Sequence, residues 1–161
     1  PPTDFFFFVP VSDKNVNRNR IQAYARVKSK GYDCISFISS GAFYYGSGIG
    51  ENCFILEDNV IQPFSTIGDN CILWSGNHIG HHTIIESNCF LASHVVVSGN
   101  VTIGSGSFLG VNATIRDNVI IGKENVIGAG ALILEDTIDQ AVFSPKSTPM
   151  SKVRSSRLRK I

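Results

Sequence analysis

An aliphatic residue stands at every sixth position from Ile49 to Ile133: Ile49, Ile55, Ile61, Ile67, Leu73, Ile79, Ile85, Leu91, Val97, Ile103, Leu109, Ile115, Ile121, Ile127 and Ile133. Two residues before most of them sits something small or slim, among them Cys53, Ser65, Cys71, Thr83, Cys89, Val95, Val101, Ser107, Ala113 and Ala131. Self-similarity at a fixed short period predicts stacked coils, each contacting only its neighbours, and a hexad period predicts a parallel β-helix. Three hexads make one coil of three flat faces and three corners. Glycine, Asn and Asp gather between the ruler positions, as in Gly50-Glu51-Asn52, Gly68-Asp69-Asn70 and Asp117-Asn118. They supply the turn conformations that bulkier residues resist. The β-helix is expected over residues 41–138, in about five coils.

The front of the chain follows other periods. Phe5 to Val11 reads as a buried strand, and Asn17 to Ser29 as an amphipathic helix with Ile21, Tyr24, Ala25 and Val27 on one face and Gly31 at its end. Cys34 to Ile38 reads as a second short strand, which makes residues 1–40 one βαβ unit. The unit lacks the glycine-rich first turn of a nucleotide-binding half. The chain opens on Pro1-Pro2 without an initiator Met, so residues 1–40 are expected to be the back end of an α/β domain whose front is absent here. Ser39 to Ser47 is a junction, since Phe43 already falls on the hexad register. Residues 139–161 form a basic tail with Lys146, Lys152, Arg154, Arg157, Arg159 and Lys160. It reads either as a solvated end or as a cationic patch beside an anionic ligand.

Composition narrows the field. A net charge of +1 on 161 residues gives no broad electrostatic case for nucleic acid or a membrane surface. No apolar run approaches the ~20 residues of a spanning helix, and no signal-peptide pattern is present. Cys53, Cys71 and Cys89 recur at the coil period, so they are expected to stack inward as small hydrophobes rather than as a disulfide framework. Reduced thiols point to the cytoplasm.

The chemistry lies in His78, His81 and His82. Three readings stand side by side. The first is turn histidines that are hydrogen-bonded and inert. The second is a metal site, which needs three or four converging ligands, whereas strand alternation would send His81 and His82 to opposite sides and the only other histidine is His94. The third is a general base, for which imidazole has the most suitable unperturbed pKa. One coil above His81 is Gly99, whose backbone N–H no side chain covers. A base and an oxyanion donor would then lie about one inter-strand spacing apart, roughly 4.7–4.9 Å.

The Ile-Gly steps (Ile67-Gly68, Ile79-Gly80, Ile103-Gly104, Ile121-Gly122, Ile127-Gly128) resemble the hexapeptide-repeat acyltransferases, which form left-handed β-helices and work as trimers. More narrowly, the chain resembles the sialic acid O-acetyltransferases and nucleotide-amino-sugar N-acetyltransferases, and His78-Ile79-Gly80-His81 is similar to the His-Ile-Ala-His segment of UDP-N-acetylglucosamine acyltransferases. The resemblance implies an acetyl-CoA-dependent transferase without a metal, acting as a homotrimer on the amino group of a nucleotide-linked sugar. It places His81 as general base and Gly99 as the N–H on the thioester carbonyl. It puts Asn77 and His78 on the acceptor wall and Asn100 near the donor–acceptor junction. Gly110, Ala129 and Gly130 fall along the pantetheine arm, with Lys146 and the other tail cations near coenzyme A phosphates. His82 stands where the family usually has an acid that orients the base. It and His94 are expected near the substrate, His94 across a subunit interface. Sugar O-acetylation, a non-catalytic scaffold and a γ-type carbonic anhydrase are the alternatives.

Overall fold

The computed structural model describes residues 5–157. Eighteen two-residue strands run from Phe37–Ile38 to Val142–Phe143 and pair in parallel into three sheets of seven, six and five strands. The result is a mainly β, parallel solenoid of about six turns. Through its middle the register is eighteen residues per coil, as in Phe90↔Phe108, Val96↔Thr114 and Thr102↔Ile120.

The ruler residues point inward. From Ile55 to Ile133 each is at most 5% exposed, and together they form one continuous column of core. Each buried aliphatic side chain contributes about 1.5–3 kcal/mol. The slim positions are also interior, and they do more than save space. Ser65, Thr83 and Ser107 donate to the carbonyls of Gly80, Ser98 and Gly122, fifteen residues on. Cys53, Cys71 and Cys89 direct their thiols at the corresponding carbonyls of Gly68, Glu86 and Gly104. Contact with the Cys71 thiol and then burial push the Cys53 thiol far up, and burial does the same to Cys71. These thiols are held protonated and unreactive.

The corners repeat one backbone device. Asn52, Asp58, Phe64, Asn70, His82, Asn88, His94, Asn100, Asn112, Asn118 and Glu124 all have φ between 52° and 69°. This left-handed conformation turns the chain sharply, and Asn and Asp tolerate it better than most residues.

The front segment folds onto the solenoid. Phe7 forms a single parallel bridge with Cys34, while Phe37–Ile38 joins the first solenoid sheet through Phe54–Ile55. The expected second strand is therefore divided between two partners. Helix α1 covers Arg18–Ser29. Its contact with the coils is centred on Asn17 and Arg20, both without exposed surface, whereas Ala25 of the expected apolar face is exposed. Asn17 is not a side-chain cap; it donates to the carbonyls of Gly106 and Ser107. Arg20 places all five of its N–H groups: Nε on Asn70 O, Nη1 on Ser12 O and Asn17 Oδ1, Nη2 on Asn88 O and Cys89 O. Burial pulls the guanidinium below its ordinary value. Satisfying every donor is what allows the cation to stay buried.

Both ends of the solenoid depart from the period. Phe37↔Phe54 is a seventeen-residue step and Val126↔Val142 a sixteen-residue step. Among the described residues, Asn125 Oδ1 is the buried side-chain atom left without a partner. Its counterpart Asn77 accepts from the Val95 N–H one full coil on, and the shortened last coil removes that alignment. No helix among the described residues is long and apolar enough to cross a membrane.

Candidate active site at a solenoid corner

The corner between the second and third sheets stacks Phe64, His82, Asn100 and Asn118 in the left-handed conformation. The positions just before them are Pro63, His81, Gly99 and Asp117. The backbone is tied coil to coil: His82 N–H to Pro63 O at 3.2 Å, Asn100 N–H to His81 O at 2.8 Å, Asn118 N–H to Gly99 O at 3.0 Å. The His81 N–H is taken by Gln62 Oε1 at 3.0 Å.

The His81 imidazole lies over Gly99. A Cβ added to Gly99 would stand 2.6 Å from Cε1 and 2.7 Å from Nε2 of His81. Any side chain there would displace the ring. The Gly99 N–H finds no hydrogen-bond acceptor among the described residues. Gly80 is equally constrained, because a Cβ there would strike the Ser98–Gly99 peptide at 2.4–2.6 Å. The corner thus brings together an exposed imidazole and an unclaimed backbone donor, the two groups that acyl transfer needs.

His82 departs from the expectation of strand alternation. It is a corner residue with φ 58°, and the turn puts both rings on one side. Nδ1 of His81 and Nδ1 of His82 are 3.0 Å apart, with the rings perpendicular at 85°. Phe64, one coil below, packs its ring on His82 at 4.7 Å. Phe64 and Gln62 were not singled out in the sequence. The signal for Phe64 was there, since it precedes His82 by one coil.

The other expected residues divide. His78 faces outward on its strand, between Val60 and Val96. Asn100 is exposed and donates to Asn118 Oδ1 at 2.8 Å. Asn77 corrects the expectation of an acceptor contact. It is 1% exposed, and its amide is used internally by Asn59 Oδ1, Trp74 O and the Val95 N–H. It occupies the interior slot two residues before Ile79, so it faces the core. His94 sits on the neighbouring corner with φ 59°, its ring folded over Gly76. Gly110, Ala129 and Gly130 belong to that same corner, away from His81 within one chain. Gly130 helps to line a cavity of about 300 Å³ with Leu132, Phe143 and Pro145, and Lys146 follows on the exposed tail. Arg159 and Lys160 lie outside the described residues. No group of three His, Cys, Asp or Glu among the described residues is placed to hold a metal.

The family described as bacterial transferase hexapeptide (six repeats) matches residues 46–81, 66–99 and 100–135. This chain belongs to the bacterial hexapeptide-repeat transferases. Its solved relatives include PerB from Caulobacter crescentus in complex with CoA and GDP-perosamine, which is 28% identical. That similarity covers 84% of this chain and 64% of the other, with a TM-score of 0.78. A variant of perosamine N-acetyltransferase from the same organism, also with CoA and GDP-perosamine, is 27% identical over 84% of this chain and 63% of the other, with the same TM-score of 0.78. The acetyltransferase domain of PglB from Neisseria gonorrhoeae, in complex with acetyl coenzyme A, is 26% identical over 78% and 62%, with a TM-score of 0.74. This hexapeptide-repeat chain therefore spans slightly less than two thirds of the relatives' length. No curated protein sequence matches it.

Proposed function

We propose that the protein is an acetyl-CoA-dependent acetyltransferase acting on the amino group of a nucleotide-linked amino-deoxysugar. The observation that carries the reading is the His81 ring lying over Gly99, whose N–H has no acceptor among the described residues. Its setting supports it: the relatives of similar fold hold CoA or acetyl-CoA, and two of the three structures hold GDP-perosamine as well.

In this mechanism the neutral acceptor amine attacks the thioester carbonyl. Nε2 of His81 takes the proton that the nitrogen loses, a step worth roughly 10²–10⁴ in rate. The Gly99 N–H donates to the carbonyl oxygen as it gains charge, worth about 3–4 kcal/mol for a well-placed donor. The C–S bond breaks, coenzyme A leaves as thiolate, and the proton on His81 returns to that sulfur. No covalent acyl-enzyme forms, since the cysteines of the coils are interior.

The same reading includes a left-handed hand to the solenoid and a homotrimer in the cytoplasm. A second copy would bring its Gly110–Gly130 corner beside His81 to hold the pantetheine arm, with Lys146 toward the phosphates. The segment up to residue 40 would belong to an acceptor-binding unit. Incubating the protein with acetyl-CoA and a panel of UDP-, dTDP- and GDP-amino sugars, with free sialic acid alongside, tests it. N-acetylated nucleotide sugar is the expected product; O-acetyl sialate as the only product, or no product together with no thermal shift by CoA, would overturn it.

A further inference from the structure

We propose that Asn118 is a positioning residue of the transfer corner: it holds the Asp117 carboxylate aside and so keeps the Gly99 N–H open to the thioester carbonyl. This rests on the reading of Gly99 as the donor to that carbonyl. Elsewhere in the solenoid, side chains of neighbouring coils reach backbone N–H groups by two routes. From nineteen residues before, Gln62 Oε1 takes the His81 N–H at 3.0 Å and Glu86 Oε2 the Ser105 N–H at 2.9 Å. From one coil later, Asp69 Oδ1 takes the Glu51 N–H at 2.8 Å and Ser87 Oγ the Asp69 N–H at 3.0 Å. In the shortened last coil, Asp136 Oδ1 and Asp139 Oδ1 take the N–H groups of Ile120 and Lys123, each at 2.8 Å.

At Gly99 both routes are closed. The residue nineteen before it is Gly80, which has no side chain to offer. The residue one coil later is Asp117, in the phase from which Asp69 caps Glu51. Asp117 turns elsewhere: its Oδ2 accepts from Asn118 Nδ2 at 2.6 Å. Asn118 is set to donate in that direction, because its Oδ1 already accepts from Asn100 Nδ2 at 2.8 Å. An amide with its oxygen engaged on one side presents its nitrogen on the other. Asn100, Asp117 and Asn118 are all exposed, so the Asn118 amide, not packing, restrains the carboxylate. A freed carboxylate would be the stronger rival for the Gly99 N–H. Charge-assisted hydrogen bonds are roughly twice as strong as neutral ones, and a thioester carbonyl is neutral when it arrives. A carboxylate there would also set a negative charge against the oxygen that gains charge during transfer. Asn118 thus acts through Asp117 rather than on the substrates.

Two variants separate this role from support of the turn. Asn118→Gly removes the amide and keeps the left-handed corner, whose φ is 60°. Adding Asp117→Ala to it removes the rival as well. In the ¹H–¹⁵N spectrum of the ligand-free protein, the Gly99 amide proton is expected to move downfield in Asn118→Gly, as it gains a carboxylate, and to return in the double variant. This measurement needs no turnover and decides the restraint with any acceptor. Transfer from acetyl-CoA to GDP-perosamine, as probe, is expected to fall about 10-fold in kcat for Asn118→Gly and to recover to within about 2-fold of the parent in the double variant. A Gly99 amide that does not move in Asn118→Gly overturns the proposal. So does a loss of turnover that the double variant shares, because that loss would belong to the turn itself. A Gly99 amide that moves and returns as expected, with parental turnover throughout, would instead overturn Gly99 as the thioester donor and leave the Asn118–Asp117 restraint intact.

Discussion

The corner carrying Asn52, Asn70 and Asn88 and the corner carrying Phe64, His82 and Asn100 have nearly the same backbone, with φ of 52–69° at one and 57–65° at the other. Their surfaces differ. On the first, Asn52 donates to Asn70 and Asn70 to Asn88, each one coil on, at 2.8 and 2.7 Å, and α1 lies over the ladder with Arg20 on the corner carbonyls. On the second, no helix lies over the turn, and Phe64, His82 and Asn100 are exposed. The left-handed turn asks only for a residue that tolerates it. What stands outside the corner decides the side chain's task. Asn fills the next two positions of the open corner, so the turn itself does not call for histidine at 82.

The largest effect is expected on the closed corner. Arg20→Met takes this donor from the carbonyls of Ser12, Asn70 and Asn88 and from Asn17 Oδ1, whereas Cys89 O keeps the Ile72 N–H. Each buried unpaired acceptor costs about 1–3 kcal/mol, so the loss in urea unfolding is expected to reach at least about 3 kcal/mol. Amide exchange in α1 should accelerate at the same time. A change below about 1 kcal/mol would show that the helix is held by something else.

On the open corner the comparable change acts on chemistry. Gly99→Ala drives a methyl into the space of the His81 ring and is expected to lower turnover about 10²-fold, with CoA binding largely retained. The two corners are compared directly by Asn70→Gly and Asn100→Gly, which both keep the backbone conformation. The first is expected to cost about 1–3 kcal/mol for the ladder and the second within about 0.5 kcal/mol. Equal costs would mean that the buried rungs at Asn70 add nothing beyond the exposed Asn100–Asn118 rung.

The smallest effect lies at the edge of the closed corner. Hydrogen bonds from Lys28 and from the Cys34 N–H hold the Glu51 carboxyl below its usual range. A carboxyl depressed in the folded state contributes stability that is present above its unfolded value and is lost as pH falls through the folded one. Unfolding measured between pH 5 and 3 should show that slope, and Lys28→Met should flatten it.

The sequence carried the core ruler in full, because burying one aliphatic residue per hexad is the condition for stacking coils. It carried His81 and Gly99 together for the same reason: a fixed period turns eighteen residues into one vertical step. Asn59, Asn77 and Asn125 share the interior phase of the slim residues, yet polarity alone suggests an outward face. Their burial follows from the corner carbonyls and N–H groups that need partners inside. Arg20 escaped notice for a similar reason, since a cation on a helix ordinarily marks the solvent side. The His81–His82 contact was hidden because alternation applies to strands and fails at a left-handed corner. The sixteen- and seventeen-residue end coils break the period that made the rest readable.

The central claim is that the His81–Gly99 corner performs the transfer. Turnover of acetyl-CoA with the amino-sugar nucleotide identified by the acceptor panel, measured for the parent and for His81→Ala at matched fold and assembly, tests it most directly. A loss of at least about 10² in kcat is the predicted result. Near-parental turnover in a folded His81→Ala protein would contradict it.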